Sequence, residues 1–134
     1  IKMSGIDESR IEIIPHMLHS HAIKLMNEFN FLVLTKPENP RYLGFPLKAL
    51  EYAATGIPIL AADSRVNRDV FRGNFQPLWY ESGNPQSMHS ALTSYLNLSQ
   101  KNIIAKNSIN FALKYTWDFR TKILFSKCKD LKDI

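Results

Sequence analysis

The stretch 46–62 constrains this chain more than any other part of it. Pro46 has no amide hydrogen to leave unpaired in a first helical turn, and Gly56 suits the left-handed residue that ends a helix, so the two bracket a helix over 47–55. Ile57-Pro58-Ile59-Leu60-Ala61-Ala62 then forms an apolar run of the kind taken by a strand buried in a parallel sheet. A helix that passes through one glycine into a buried strand is the second half of a βαβ unit, and the same alternation recurs on either side of it.

Upstream, 10–14 (R-I-E-I-I) is β-rich and stops at Pro15, and 20–29 carries Ile23, Leu25, Met26 and Phe29 at roughly helical spacing, which predicts a strand and then a helix. Phe31-Leu32-Val33-Leu34-Thr35 is a continuous apolar run, expected as a strand buried on both faces, and a polar loop containing prolines follows it over 36–43. Downstream, Asp63 or Asn67 opens a short helix through Val70, and 77–80 reads as an edge strand. Helices are expected over 85–96, 101–115 and 117–131, the last with Thr116 as its N-cap. Strands alternating with helices give an α/β fold with a parallel sheet and a mainly helical C-terminal half, and residues 1–134 are expected to form a single domain.

The formal net charge of +5 favours anionic partners without choosing among nucleotides, phospholipid surfaces and nucleic acid. Arg120, Lys122, Lys127, Lys129 and Lys132 fall in the last fifteen residues; such a tail reads first as a solvated helix face and second as a membrane or nucleic-acid contact. A nucleic-acid-binding protein would interleave basic and aromatic residues on one surface, whereas here the aromatics are spread through the apolar pattern. Nucleic acid is therefore not an expected partner. No apolar run approaches the roughly 20 residues of a membrane span, and the opening Ile1-Lys2-Met3-Ser4-Gly5 lacks the layout of a signal peptide, so the expected location is the cytoplasm. The single cysteine, Cys128, cannot form an internal disulfide. Ile1 in place of Met fits a piece of a longer chain.

In open parallel sheets ligands bind beyond the carboxyl ends of strands, beside helix N-termini whose free N–H groups favour anions. Residues 36–45 hold that position: Gly44 allows close backbone approach, Pro46 opens the helix, and Lys48 adds a positive charge to its first turn. A diphosphate would meet backbone donors and a cation there; the plainer reading is a strand-to-helix turn with Lys48 in solvent. Glu51 borders the apolar stripe of the same helix, and a carboxylate so placed wants a partner, either the hydroxyls of a ribose or Lys48 one turn back. His16, His19 and His21 cluster in sequence with no carboxylate or thiolate close by, so no metal site is expected. Trp79, Tyr80 and Trp117 could stack on a base, but aromatics at such strand and helix ends are ordinarily core. Asn97-Leu98-Ser99 has the glycosylation pattern, which carries no meaning in a cytoplasmic chain.

The run Gly44-Phe45-Pro46-Leu47-Lys48-Ala49-Leu50-Glu51-Tyr52-Ala53-Ala54-Thr55-Gly56-Ile57-Pro58-Ile59-Leu60-Ala61-Ala62-Asp63 resembles the signature G-F-P-x-x-x-L-E-A-M-A-x-G-x-P-V-V-A-T-D of the family-four retaining glycosyltransferases, the glycosyl transferases group 1. Asn67-Arg68-Asp69-Val70 resembles their N-R-E-V helix start, Glu81-Ser82-Gly83-Asn84-Pro85 their G-D-P turn, and Tyr115-Thr116-Trp117 their Y-T-W before the final helix. Pro15-His16, with the helix and strand that follow, is similar to the segment leading into their binding loop. The resemblance spans nearly the whole chain. It implies a Rossmann-like, three-layer α/β/α fold, the C-terminal domain of a two-domain GT-B enzyme minus its first strands.

By that resemblance a nucleotide diphosphate sugar would be the donor substrate, with no cofactor and no metal. Glu51 would bind the ribose hydroxyls, the backbone of Gly44, Phe45, Pro46 and Leu47 would face the diphosphate or sugar, Lys48 would lie near the phosphates, and His16 would sit in a loop facing the cleft. A glycan or lipid-linked acceptor would be held by an N-terminal domain outside this chain, so the chain alone is expected to be inactive. The match departs at Leu43, eight positions before Glu51, where the family's usual motif has a first glutamate touching the donor sugar. The family variant P-L-K-x-x-E-Y also lacks it, and Pro46-Leu47-Lys48-Ala49-Leu50-Glu51-Tyr52 matches that variant; Glu38 is the candidate substitute. The other reading is a nucleotide-binding module that kept the fold and Glu51 but lost transfer chemistry. Absence of the opening strands would expose a sheet edge, which predicts homodimers.

Overall fold

The structure is a computed structural model that describes residues 7–35, 47–73 and 75–130, the side chains of Glu8, Lys129 and Asp130 excepted. Three strands, β1 (Leu32–Leu34), β2 (Ile59–Ala62) and β3 (Leu78–Tyr80), form one parallel sheet in the order β1-β2-β3. Six helices accompany it among the described residues: α1 (His19–Met26), α2 (Leu47–Thr55), α3 (Arg65–Val70), α4 (Pro85–Leu96), α5 (Lys101–Leu113) and α6 (Trp117–Asp130). The C-terminal half is helical, as its sequence suggests.

Parity along β2 decides the layers, because successive side chains of a strand point to opposite faces. Ile59 and Ala61 join Ala49 and Ala53 of α2, Val70 and Phe71 around the end of α3, and Phe111 of α5 in the larger core cluster. Leu60 and Ala62 turn the other way, into a smaller cluster with Tyr80 and with Met88, Ala91 and Leu92 of α4. Helices thus cover both faces of a parallel sheet, the three-layer α/β/α arrangement of Rossmann-like folds. Alanines at Ala49, Ala53, Ala61 and Ala62, all fully buried, let helix and sheet backbones approach closely.

Local signals account for most boundaries. Gly56 follows α2 at φ +74°, the left-handed conformation that stops a helix. Asn84 caps α4 by accepting a hydrogen bond from the Ser87 amide at 3.0 Å, with Pro85 in its first turn. Ser64, not Asp63 or Asn67, caps α3: its buried hydroxyl accepts from the Asn67 amide at 3.4 Å, while the Asn67 side chain donates to the Ala62 carbonyl at 2.8 Å.

Two other expectations are corrected. Residues 10–14 do not form a strand: a single 3-10 turn spans Glu8–Arg10, and Ile11, Ile13 and Ile14 are exposed, Ile13 by 84%. An isolated β-rich run gains nothing without a neighbour to complete its ladder, and this one pairs with none of the described strands. β1 is buried on one face only. Val33 shares the face of its register partner Leu60, but α4 lies over β3 and β2 and leaves Val33 39% exposed at the sheet edge.

Candidate functional site

β1 ends at Leu34 and α2 starts at Leu47, so the beginning of α2 belongs to the carboxyl side of the sheet. α1 packs beside α2. Two side chains of these helices meet: His19, the first residue of α1, and Glu51, midway along α2, with Nε2 and Oε1 3.0 Å apart. An ionised carboxylate only accepts hydrogen bonds, so the ring donates from a protonated Nε2. The His19 side chain is 72% exposed and that of Glu51 31%, which leaves the pair open to solvent. Solvent screening keeps the attraction weak, and its consequence is direction rather than stability.

Lys48, the partner within the chain that the sequence offers Glu51, is therefore not the one the structure supplies. The Lys48 and Leu47 side chains are exposed in the first turn of α2. His16 lies exposed in the irregular stretch before α1; the histidine brought to Glu51 is His19, thirty-two positions away in sequence. Glu38, Leu43, Gly44, Phe45 and Pro46 lie outside the described residues. His19 stood among three clustered histidines, and the signal that could have singled it out is its place at the very start of a helix preceding the first strand.

A second feature lies at the carboxyl ends of β2 and β3. Asp63, Trp79, Tyr80, Glu81 and Ser87 line a cavity of about 310 Å3. Its polar groups are largely engaged: Arg68 donates to both oxygens of Asp63 at 2.7 Å, Asn84 donates to Glu81 at 2.7 Å, and the Ser87 hydroxyl accepts from the Glu81 amide at 2.9 Å. The hydrogen bonds from Arg68 hold the Asp63 carboxyl below the usual carboxylate range. The same guanidinium lies 4.1 Å from the centroid of the Trp79 ring, which forms a T-shaped pair with Phe71. Trp79 and Tyr80 are thus packing residues, as expected, while Trp117 is 78% exposed on α6 and is not core. The cavity was not anticipated, although a carboxylate directly after each of two strands, Asp63 and Glu81, was visible in the sequence.

Among the described residues no three of His, Cys, Asp and Glu come together as a metal-binding group, and no helix is long and apolar enough to cross a membrane.

Residues 16–111 match the family model described as Glycosyl transferases group 1. The chain belongs to that family. The matched span runs from the stretch before α1 into α5 and so contains His19, Glu51, the whole sheet and the cavity beyond β2 and β3. A comparison with curated proteins finds no match. As a group 1 glycosyltransferase domain, the chain carries a fold built for glycosyl transfer, and its parallel sheet with helices on both faces is consistent with part of the C-terminal domain of a GT-B enzyme.

Proposed function

We propose that this chain is the nucleotide-sugar-binding domain of a longer retaining glycosyltransferase of the hexosyl-transferring type. The donor is a nucleotide diphosphate sugar, and transfer needs neither a metal nor a cofactor. The acceptor is a glycan or a lipid-linked glycoconjugate, held by an N-terminal domain outside this chain. The enzyme works in the cytoplasm, peripheral to the membrane on which such acceptors are assembled, in polysaccharide biosynthesis.

The observation that carries this reading is Glu51: a partly exposed carboxylate in the second turn of α2, the helix that follows β1 in a parallel sheet, in a chain of the glycosyl transferases group 1 family. A carboxylate can accept hydrogen bonds from both hydroxyls of a ribose, and Lys48 in the preceding turn supplies positive charge for the diphosphate. The backbone of Gly44, Phe45, Pro46 and Leu47 is assigned to the diphosphate or sugar, His16 to the rim of the cleft, and Glu38 to the task of the glutamate that Leu43 replaces.

Calorimetric titration with UDP and with GDP tests it, alongside Glu51→Ala checked for its fold by circular dichroism. Binding of one nucleotide that the variant loses is the expected result; equal binding by the variant overturns the role of Glu51. Leu43 favours one other reading, a nucleotide-binding module without transfer activity. Turnover of a labelled donor by the full-length protein separates the two, since the module binds the donor and leaves it intact.

A further inference from the structure

We infer that His19 is the positioning residue of the donor site: it aims the Glu51 carboxylate at the ribose. This rests on the assignment of Glu51 to the ribose hydroxyls. A glutamate on a helix surface has three rotatable bonds, and one that is partly exposed samples many directions before it meets a ligand. Here one oxygen, Oε1, is held by Nε2 of His19 at 3.0 Å. The other oxygen, and the second lone pair of Oε1, remain for two hydroxyl donors. Freezing the carboxylate before the nucleotide arrives removes an ordering cost from binding.

The nature and place of the partner support positioning over simple charge pairing. An imidazole is planar, turns about two bonds and donates along its ring plane, so it fixes direction; Lys48, nearer in sequence, would offer a mobile point charge. His19 opens α1, a helix in which no residue is fully buried, and it reaches across to α2 with its own ring largely in solvent. Packing of the core does not need that ring.

A tether between α1 and α2 is the rival role, and nucleotide binding tells the two apart. The chain is titrated with UDP, GDP, ADP and CDP, and then with the 2′-deoxy counterpart of whichever binds. Glu51→Ala is expected to abolish the preference for the ribonucleotide. His19→Ala is expected to weaken the ribonucleotide about fivefold and the deoxynucleotide about twofold, because the misaimed carboxylate weakens two hydroxyl hydrogen bonds in the first and one in the second. His19→Gln, whose side-chain amide can donate from nearly the same place, is expected to recover most of the loss. Equal weakening of both nucleotides by His19→Ala, or no weakening where Glu51→Ala is impaired, overturns the positioning role and leaves the donor site standing. Unchanged binding by Glu51→Ala, or no binding of any of the four nucleotides by the intact chain, overturns the donor-site reading and this inference with it.

Discussion

Ser108 on α5 donates its hydroxyl hydrogen to the carbonyl oxygen of Ala53 on α2 at 3.0 Å, across fifty-five positions of sequence, in the buried layer between the two helices. The bond fixes how α5 lies over the helix that bears Glu51. Ser108→Ala is expected to cost about 1 kcal/mol of folding stability, the usual net worth of such a bond. Ser108→Val is expected to cost more, since the site is almost fully buried and the added methyl has to displace its neighbours. Urea midpoints check both, and a midpoint unchanged in Ser108→Ala would show that the bond contributes nothing.

Gly56 is required for its backbone and crowded at its side. Its φ of +74° is strained for any residue with a Cβ, and a Cβ built there lies 3.0 Å from Cδ1 of Ile109. Gly56→Ala is expected to destabilise by about 1–2 kcal/mol. Ile109 is 41% exposed and can swing aside, so the backbone is the larger part of that cost. Adding Ile109→Ala to the Gly56→Ala chain should therefore restore little; a double-mutant cycle that recovers most of the loss would assign the cost to crowding instead.

Tyr80 links stability to alkaline pH. Its buried hydroxyl donates to the Leu34 carbonyl at 3.4 Å, and burial raises its pKa above the ordinary 10.0, as burial does for Tyr95. The folded state therefore holds these protons more tightly than the unfolded chain. That contribution is complete below the unfolded phenol pKa and is lost as pH rises through the folded values. Stability measured by urea unfolding should fall above about pH 10, and less steeply in Tyr80→Phe. Equal slopes for the two chains would remove Tyr80 as a source.

The open edge of β1 bears on association. β1 has one sheet neighbour among the described strands, and the apolar Val33 stands beside that edge. An unpaired strand edge invites pairing with a second copy, so dimers are expected for this chain at high concentration, and a charge at the edge in Val33→Lys should reduce them. Light scattering that finds only monomer in the parent chain would count against the edge as an interface.

Much of this architecture was legible before any packing was known. α4 was readable from Pro85 onward, and α2 from Pro46 and Gly56, because helix starts and stops act within one turn of chain. The same local view misjudged 10–14, where β-branched residues suggest extended chain but only a neighbouring strand could hold it. It also missed the Ser64 cap, since Asp63 and Asn67 are equally good caps in isolation. Burial of Ser64 at the end of β2, with Asp63 drawn outward to Arg68, selected among them.

The sequence by itself determined the succession of strands and helices from α1 onward, the family, and Glu51 as the carboxylate of interest, because each follows from residues close together in the chain. The tertiary structure decided which face of β1 stays open, that Asp63 and Glu81 share a cavity, and that His19 rather than Lys48 holds Glu51. Those depend on how the helical layers settle on the sheet, and that arrangement minimises exposed apolar surface over the whole molecule at once. No local spacing encodes it, so the meeting of two side chains thirty-two positions apart appears only when the layers are in place.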